Sequence, residues 1–303
     1  MSIPGLKTAL SFASPGGARG KLSILIYHRV LPAPDPMRSG DPDLATFRWQ
    51  TALLSENFNV LPLREAALRL RDGRLPPRAA CITFDDGYAD NYTLALPVLQ
   101  AAGLPATFFI ATAYLDGGRM FNDTLIEVAK RVPAGDCDLS SIELGVKSVR
   151  SDADRTALAS ALINHFKYQP PETRVPAAEQ LAAELGVALP NDLMMSSAQL
   201  RALHSTGMEI GGHTDTHPIL ARQTHADVEA EIRTGKHKLE SLLDTPIRVF
   251  AYPNGRPAKD YVPEHVDIVR RCGFELAVST RPAAANRRSS IYELPRFTPW
   301  DAT

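Results

Sequence analysis

The chain reads as an α/β protein built on a TIM-like (β/α) barrel, and three observations predict it. β-rich apolar runs alternate with helical patterns over most of the 303 residues. About seven such strand–helix units occur, and repeated alternation of this kind gives a parallel sheet with helical crossovers. No glycine-rich phosphate loop opens the first unit, so a closed barrel fits better than an open dinucleotide-binding sheet.

The predicted strands are Leu22–His28, Ala79–Phe84, Ala106–Thr112, Met208–His213, Arg248–Tyr252, Glu275–Thr280 and Tyr292–Phe297. The helices between them are Thr46–Asn57, Leu63–Arg71, Asp90–Ala102, Ala198–Ser205, Ala226–Leu243 and Lys259–Cys272. Phe47 and Trp49 on the first of these are expected in the core. Residues 115–196 break the rhythm: the segment is too long for a loop and too short for a large domain. Asp123–Val132, Asp152–Phe166 and, more weakly, Ala177–Leu185 carry apolar residues at helical spacing, separated by proline and glycine. The expectation is one barrel domain over 1–303 with a helical insertion at 115–196.

Composition excludes several classes. Hydrophobic content of 44% and charged content of 22% are those of an ordinary globular protein, and the net charge is −1. Electrostatics make no case for nucleic acid as a partner. Cys81, Cys137 and Cys272 lie far apart, which argues against a disulfide framework or a thiolate zinc site and for buried reduced thiols. Pro4, Gly5, Lys7 and Thr8 interrupt any N-terminal apolar run, and no stretch reaches the roughly 18 apolar residues of a membrane span. The chain therefore reads as cytoplasmic. Residues 6–13 form at most a short amphipathic turn, which leaves room for peripheral membrane contact.

Two segments carry chemistry. Thr83-Phe84-Asp85-Asp86-Gly87 ends a strand run. Side chains alternate along a strand, so adjacent carboxylates share one site only where the strand ends and the chain bends. Such a pair suits a division of labour, one oxygen on a metal and the other taking a proton. A bare Asp-Asp-Gly is also an ordinary hairpin turn. Gly211-Gly212-His213-Thr214-Asp215-Thr216-His217-Pro218 follows a second strand run. Its histidines at i and i+4 converge on one ion if the chain turns there, and otherwise are two surface histidines. Asp86, His213 and His217 together would make a two-histidine, one-carboxylate site with open positions, the arrangement of a catalytic metal.

With these motifs in this order, the chain resembles the polysaccharide deacetylases of carbohydrate esterase family four, the NodB-homology domain. The resemblance covers about residues 22–298 outside the insertion. It implies a distorted seven-stranded (β/α) barrel, with Asp85 as general base and Asp86, His213 and His217 as ligands of one divalent ion, zinc by expectation. It further implies hydrolysis of an N-acetyl group on an N-acetylhexosamine unit of a polysaccharide, oligosaccharide or lipid-linked glycan. The sequence departs from the commonest family pattern twice. No histidine follows His265, so the leaving-group acid does not come from the usual place near the end of the domain. The opening strand ends Tyr27-His28-Arg29, as in the poly-N-acetylglucosamine deacetylases of biofilm exopolysaccharide systems, and this makes His28 the candidate acid. In Phe250-Ala251-Tyr252-Pro253-Asn254-Gly255, Ala251 stands where the family has an arginine that holds the base. Arg296, at the mouth end of the last strand run, is the candidate replacement. Tyr252, Pro253 and Asn254 are candidate substrate residues, with the Asn254 N–H as oxyanion donor. Trp300 is a candidate sugar-stacking residue. Two alternatives stay open: a sugar-binding or scaffold protein without turnover, and a hydrolase of another non-peptide C–N bond.

Overall fold

The computed structural model describes residues 5–299, apart from 168 and 170. They divide into two compact units. The first comprises 5–33, 40–116 and 195–299, and the second 34–39 and 117–194.

The first unit begins with a short helix, α1 (Leu6–Ala13), on which Phe12 is 84% exposed. The first central strand is β1 (Lys21–Tyr27), followed by α2 (Leu44–Asn57), the short β2 (Asn59–Val60) and α3 (Leu63–Arg71). Next come β3 (Ala79–Phe84), α4 (Leu96–Ala102) and β4 (Thr107–Ile110). In the second unit lie α5 (Phe121–Arg131), β5 (Gly135–Leu139), β6 (Gly145–Val149), α6 (Asp152–Phe166) and α7 (Pro171–Glu184). The first unit resumes with α8 (Ser197–Ser205), β7 (Glu209–Gly212), α9 (His225–Leu243), β8 (Val249–Ala251), α10 (Pro263–Arg271), β9 (Leu276–Val278) and β10 (Ala285–Asn286).

The sheet runs in the order β10-β1-β3-β4-β7-β8-β9. All neighbours are parallel except β10, which pairs antiparallel with the first residues of β1. The upper half of that β1 edge meets the segment 294–297. Leu294 bridges Val278 on one side, and Phe297 bridges Leu25 on the other, both parallel. This segment therefore stitches β9 back to β1 and curls the sheet into the expected distorted (β/α) barrel. It is not the continuous strand predicted over Tyr292–Phe297, because Pro295 has no N–H to give a ladder.

Alternation explains the two layers of core. Cys81 of β3, Phe109 of β4, Val249 and Ala251 of β8 and Leu276 and Val278 of β9 form one buried cluster with Leu22 and Ile24, over α3 residues Leu63, Ala66 and Leu70. The opposite strand faces, including Phe84, Phe108, Ile210 and Phe250, pack with Phe47, Leu99, Leu200, Ile232 and Val269 from the surrounding helices. β3 and β4 are buried at every residue, which is why they read as unbroken apolar runs. Gly211 of β7 stands on the inner face. A Cβ there would lie 2.4 Å from Cδ1 and 2.5 Å from Cε1 of Phe109. Gly211→Ala is expected to cost about 1–3 kcal/mol by overpacking, read as a lowered Tm in a thermal melt.

Several boundaries differ from the sequence expectation, each with a local cause. The predicted helix Asp90–Ala102 begins as a π-turn over Asn91–Ala95, and α4 starts with Pro97 in its first turn. The helix predicted from Lys259 starts at Pro263, the first helical position that tolerates proline. In the second unit, α5, α6 and α7 surround a buried cluster that includes Leu125, Val128, Leu158, Leu162 and Leu181. The second unit also holds an antiparallel hairpin, β5–β6, that helical periodicity did not anticipate. Phe47 is buried, but Trp49 is 64% exposed and not a core residue. All three cysteines are free and buried. Trp300 lies outside the described residues. No helix among the described residues is long and apolar enough to cross a membrane.

Candidate metal centre

The site assembles at the carboxyl ends of the central strands, where (β/α) barrels carry their chemistry. Each side chain arrives there for a local reason. Cys81 and Thr83 point inward along β3, and Asp85 continues that alternation one residue past the strand. Asp86 would face outward in a regular strand. Instead its backbone is left-handed, φ 78°, and Gly87 follows at φ 92°, so the chain bends and Asp86 turns back to the same mouth.

His213 leaves β7 in the same way. Its Nδ1 lies 2.8 Å from the Ala251 carbonyl oxygen of β8. A carbonyl only accepts, so the Nδ1–H donates and Nε2 keeps its lone pair for a ligand role. His217 reaches the same point because the intervening loop turns tightly, with Thr214 at φ 64° and His217 at φ 55°.

The Nε2 atoms of His213 and His217 lie 3.4 and 3.5 Å from Oδ1 of Asp86. One ligand atom from each of the three residues falls within 4.8 Å of the others. That buried Asp86 oxygen has no hydrogen-bond partner. An unpaired buried carboxylate oxygen is costly, and 3.4–3.5 Å is too long to relieve it well. A tetrahedral zinc ion with ligand bonds of about 2.0–2.1 Å spaces its ligand atoms by roughly 3.4 Å. Two neutral-capable imidazoles and one carboxylate fit such an ion.

The charges agree with a site that draws a cation. Burial raises the Asp86 carboxyl, but the facing imidazoles of His213, His217 and His28 outweigh it and hold it well below the ordinary carboxylate range. Burial lowers His213, and the carboxylates of Asp86 and Asp85 outweigh that and raise it. For His217 burial wins and pushes the ring down to about 4, so it is neutral near pH 7 with a lone pair available.

Beside the three ligands, Asp85 is 2% exposed and pairs with Arg296 through two bonds, Nη1 to Oδ1 at 2.7 Å and Nη2 to Oδ2 at 2.6 Å. The guanidinium is fixed by two further donations, Nη1 to Thr83 Oγ1 at 3.1 Å and Nε to the Ser279 carbonyl at 3.0 Å. It sits over the Phe109 ring at 5.7 Å. Burial alone would raise the Asp85 carboxyl; the charge of Arg296, then of His213, and the Arg296 hydrogen bonds hold it below its ordinary value. Ala251, small and inward-facing on β8, has no side chain for this purpose. Arg296 reaches Asp85 from the segment that closes the barrel.

His28 directly follows β1, whose last residue Tyr27 pairs in parallel with Phe84 of β3, so it stands at the same carboxyl-end mouth as Asp85 and Asp86. Its flanks are tied down. Asn91 donates to the His28 carbonyl at 2.8 Å, and buried Asp90 accepts from Arg29 Nε at 2.7 Å and from the Val30 N–H at 3.2 Å. Sequence reasoning did not single out Asp90 or Asn91; their place just after the Asp-Asp-Gly turn is the only signal.

The Tyr252–Asn254 segment divides. The Tyr252 ring is buried, stacks on Tyr261 at 3.9 Å and donates its hydroxyl to the Tyr292 carbonyl. Pro253 is buried, and Asn254 is exposed with φ 58°. The Asn254 carbonyl accepts from the Thr280 hydroxyl at 2.8 Å, while its N–H donates to no protein group among the described residues.

At the mouth of this parallel barrel stand two imidazoles and a carboxylate that could hold a metal ion, beside a second carboxylate held by an arginine. A family profile described as polysaccharide deacetylase matches residues 72–141 and 164–277, more than half of the chain. The chain belongs to the polysaccharide deacetylase family. It is 22% identical over 278 residues to YxkH of Bacillus subtilis (strain 168), named for the same family, spanning 91% of this chain and 70% of YxkH. A shorter stretch of 77 residues, 24% of this chain, is 38% identical to poly-beta-1,6-N-acetyl-D-glucosamine N-deacetylase of Escherichia coli (strain K12) and spans 11% of that protein. The fold is similar to that of IcaB from Ammonifex degensii, with TM-score 0.59, 21% identity, and coverage of 93% of this chain and 91% of that one. It is also similar to the deacetylase PplD of Streptococcus pyogenes, with TM-score 0.60, 19% identity and 92% coverage of both chains.

Proposed function

We propose that this chain is a metal-dependent N-deacetylase that releases acetate from N-acetylhexosamine units of a glycan, with zinc as its ion. The observation that carries the reading is the meeting of Asp86, His213 and His217 within coordinating distance, beside a carboxylate held by Arg296. The local identity to a poly-N-acetylglucosamine N-deacetylase supports a β-linked N-acetylglucosamine polymer or oligomer as substrate.

A divalent ion bound there supplies Lewis acidity toward water and an amide carbonyl. The protein's own residues do the rest. Asp85, kept ionised by Arg296, accepts the proton of the attacking water. The Asn254 N–H faces the charge that develops on the amide oxygen. His28 donates a proton to the departing sugar amine, so that a neutral amine leaves. The three residues keep their positions because His213 is tied to the Ala251 carbonyl, Asp86 to its left-handed turn, and His217 through its N–H to Thr214 Oγ1 at 3.1 Å.

The test is acetate release by the zinc-reconstituted protein from N-acetylglucosamine oligomers, β-1,4- and β-1,6-linked, with lipid-linked and nucleotide sugars alongside. Release from at least one glycan, abolished by Asp86→Ala and by chelation, is the expected result. A protein with one zinc per chain that binds these sugars and releases acetate from none of them is a binding protein instead.

A further inference from the structure

The loop from His213 to His217 has two internal hydrogen bonds, Thr214 Oγ1 to the His213 carbonyl at 2.5 Å and the His217 N–H to Thr214 Oγ1 at 3.1 Å, and takes its other constraints from outside. Thr214 and His217 are both left-handed, a conformation unfavourable for residues with a β-carbon and most of all for β-branched threonine. The carbonyl side of the loop is fixed by the chain after β4: the Ala113 N–H donates to the Asp215 carbonyl at 2.9 Å, and the Tyr114 hydroxyl to the Thr216 carbonyl at 2.9 Å. The Asp215 and Thr216 N–H groups need an acceptor from outside the loop.

That acceptor is Glu231 of α9. One of its carboxylate oxygens accepts from the Asp215 N–H at 3.0 Å and the Thr216 N–H at 2.8 Å; the other accepts from the Thr216 hydroxyl at 2.6 Å. The same helix stripe supplies two more constraints at i+4 and i+7. Gly235 lets the helix approach so closely that a Cβ would stand 2.5 Å from the Thr214 carbonyl oxygen. Lys238 donates to both oxygens of Asp215, at 2.8 and 3.0 Å. α9 therefore clamps the residues between the two imidazoles without touching the site itself.

We propose that Glu231 is a positioning residue for the metal: its carboxylate presets the His213–His217 loop so that His217 meets Asp86 and His213 before an ion arrives. The proposal rests on the metal-centre reading above. Its consequence is specific. Loss of the carboxylate leaves the three ligands in place but makes their convergence a cost of binding, so zinc affinity falls while the loaded enzyme keeps its chemistry.

The experiment is zinc affinity by chelator competition on the full chain, with kcat measured at saturating zinc and folding followed by thermal melting. Glu231→Ala is expected to weaken zinc binding about 10- to 100-fold, the range for groups that orient metal ligands, with kcat at saturation within a few-fold of the parent. Glu231→Gln retains an oxygen acceptor for the two N–H groups and is expected to lose less. Glu229→Ala, on the same helix and paired with Arg233 and Arg271, is expected to bind zinc as the parent does. Zinc affinity of a folded Glu231→Ala protein within twofold of the parent overturns the proposal. Should that variant not fold, unchanged affinity in Glu231→Gln together with Thr216→Val overturns it. A parent protein that binds no zinc overturns the metal-centre reading itself, which separates the two failures.

Discussion

Asp85→Asn is expected to lower kcat for acetate release by roughly a hundredfold to ten-thousandfold, the contribution of a positioned proton acceptor, while zinc content stays at one ion per chain. The separation follows from geometry. Asp85 lies next to Asp86 in sequence, yet its two oxygens are engaged by Arg296, and the group that could hold an ion is Asp86, His213 and His217. Asparagine is nearly the same shape and still accepts one bond from the guanidinium, so the centre survives and the proton acceptor does not. Steady-state kinetics beside metal analysis read both quantities from one preparation. Loss of zinc in step with activity would make Asp85 a ligand rather than a base.

Arg296→Met is expected to cost about 3–5 kcal/mol of stability, because it leaves a buried carboxylate without its counter-charge. Arg296 is 1% exposed and Asp85 2% exposed, so water does not reach in to screen the loss. For a chain of this size the Tm should drop by roughly 5–8 °C. Activity should fall as well, since Asp85 loses both the charge that favours its ionised form and the two bonds that orient it. The double variant Asp85→Asn with Arg296→Met removes the buried charges together and is expected to regain much of the stability lost in Arg296→Met alone. A melt in which the two losses simply add would show that the pair is not coupled.

Much of this arrangement was legible before any coordinates, and the reasons are physical. The barrel strands are short and buried on both faces, so they stand out as apolar runs; β3 occupies the very residues the sequence assigns to it. The chemistry-bearing motifs sit where those runs stop. Contacts between distant segments left no such mark. Arg296 was a candidate from its place near the barrel mouth, but its two-bond grip on Asp85 spans 211 residues and is a property of barrel closure. Glu231 had no signal at all, because an acidic residue on an amphipathic helix looks like any solvated side chain. β2 and β10 have two residues each, too few for a period. In β5 the buried Cys137 and Leu139 do alternate, but aspartates flank them and the helical patterns on either side mask the hairpin. Trp49 was misjudged because α2 is nearly as apolar on its exposed face as on its buried one.

Deacetylation by this chain is expected to depend on one divalent ion held by Asp86, His213 and His217. The most direct measurement is zinc stoichiometry and acetate release in the same samples of parent protein, His213→Ala and His217→Ala, before and after exhaustive chelation. One zinc per chain in the parent, little in either variant, and activity that leaves with the metal and returns on adding it back is the predicted outcome. Full acetate release by the chelated parent would contradict it.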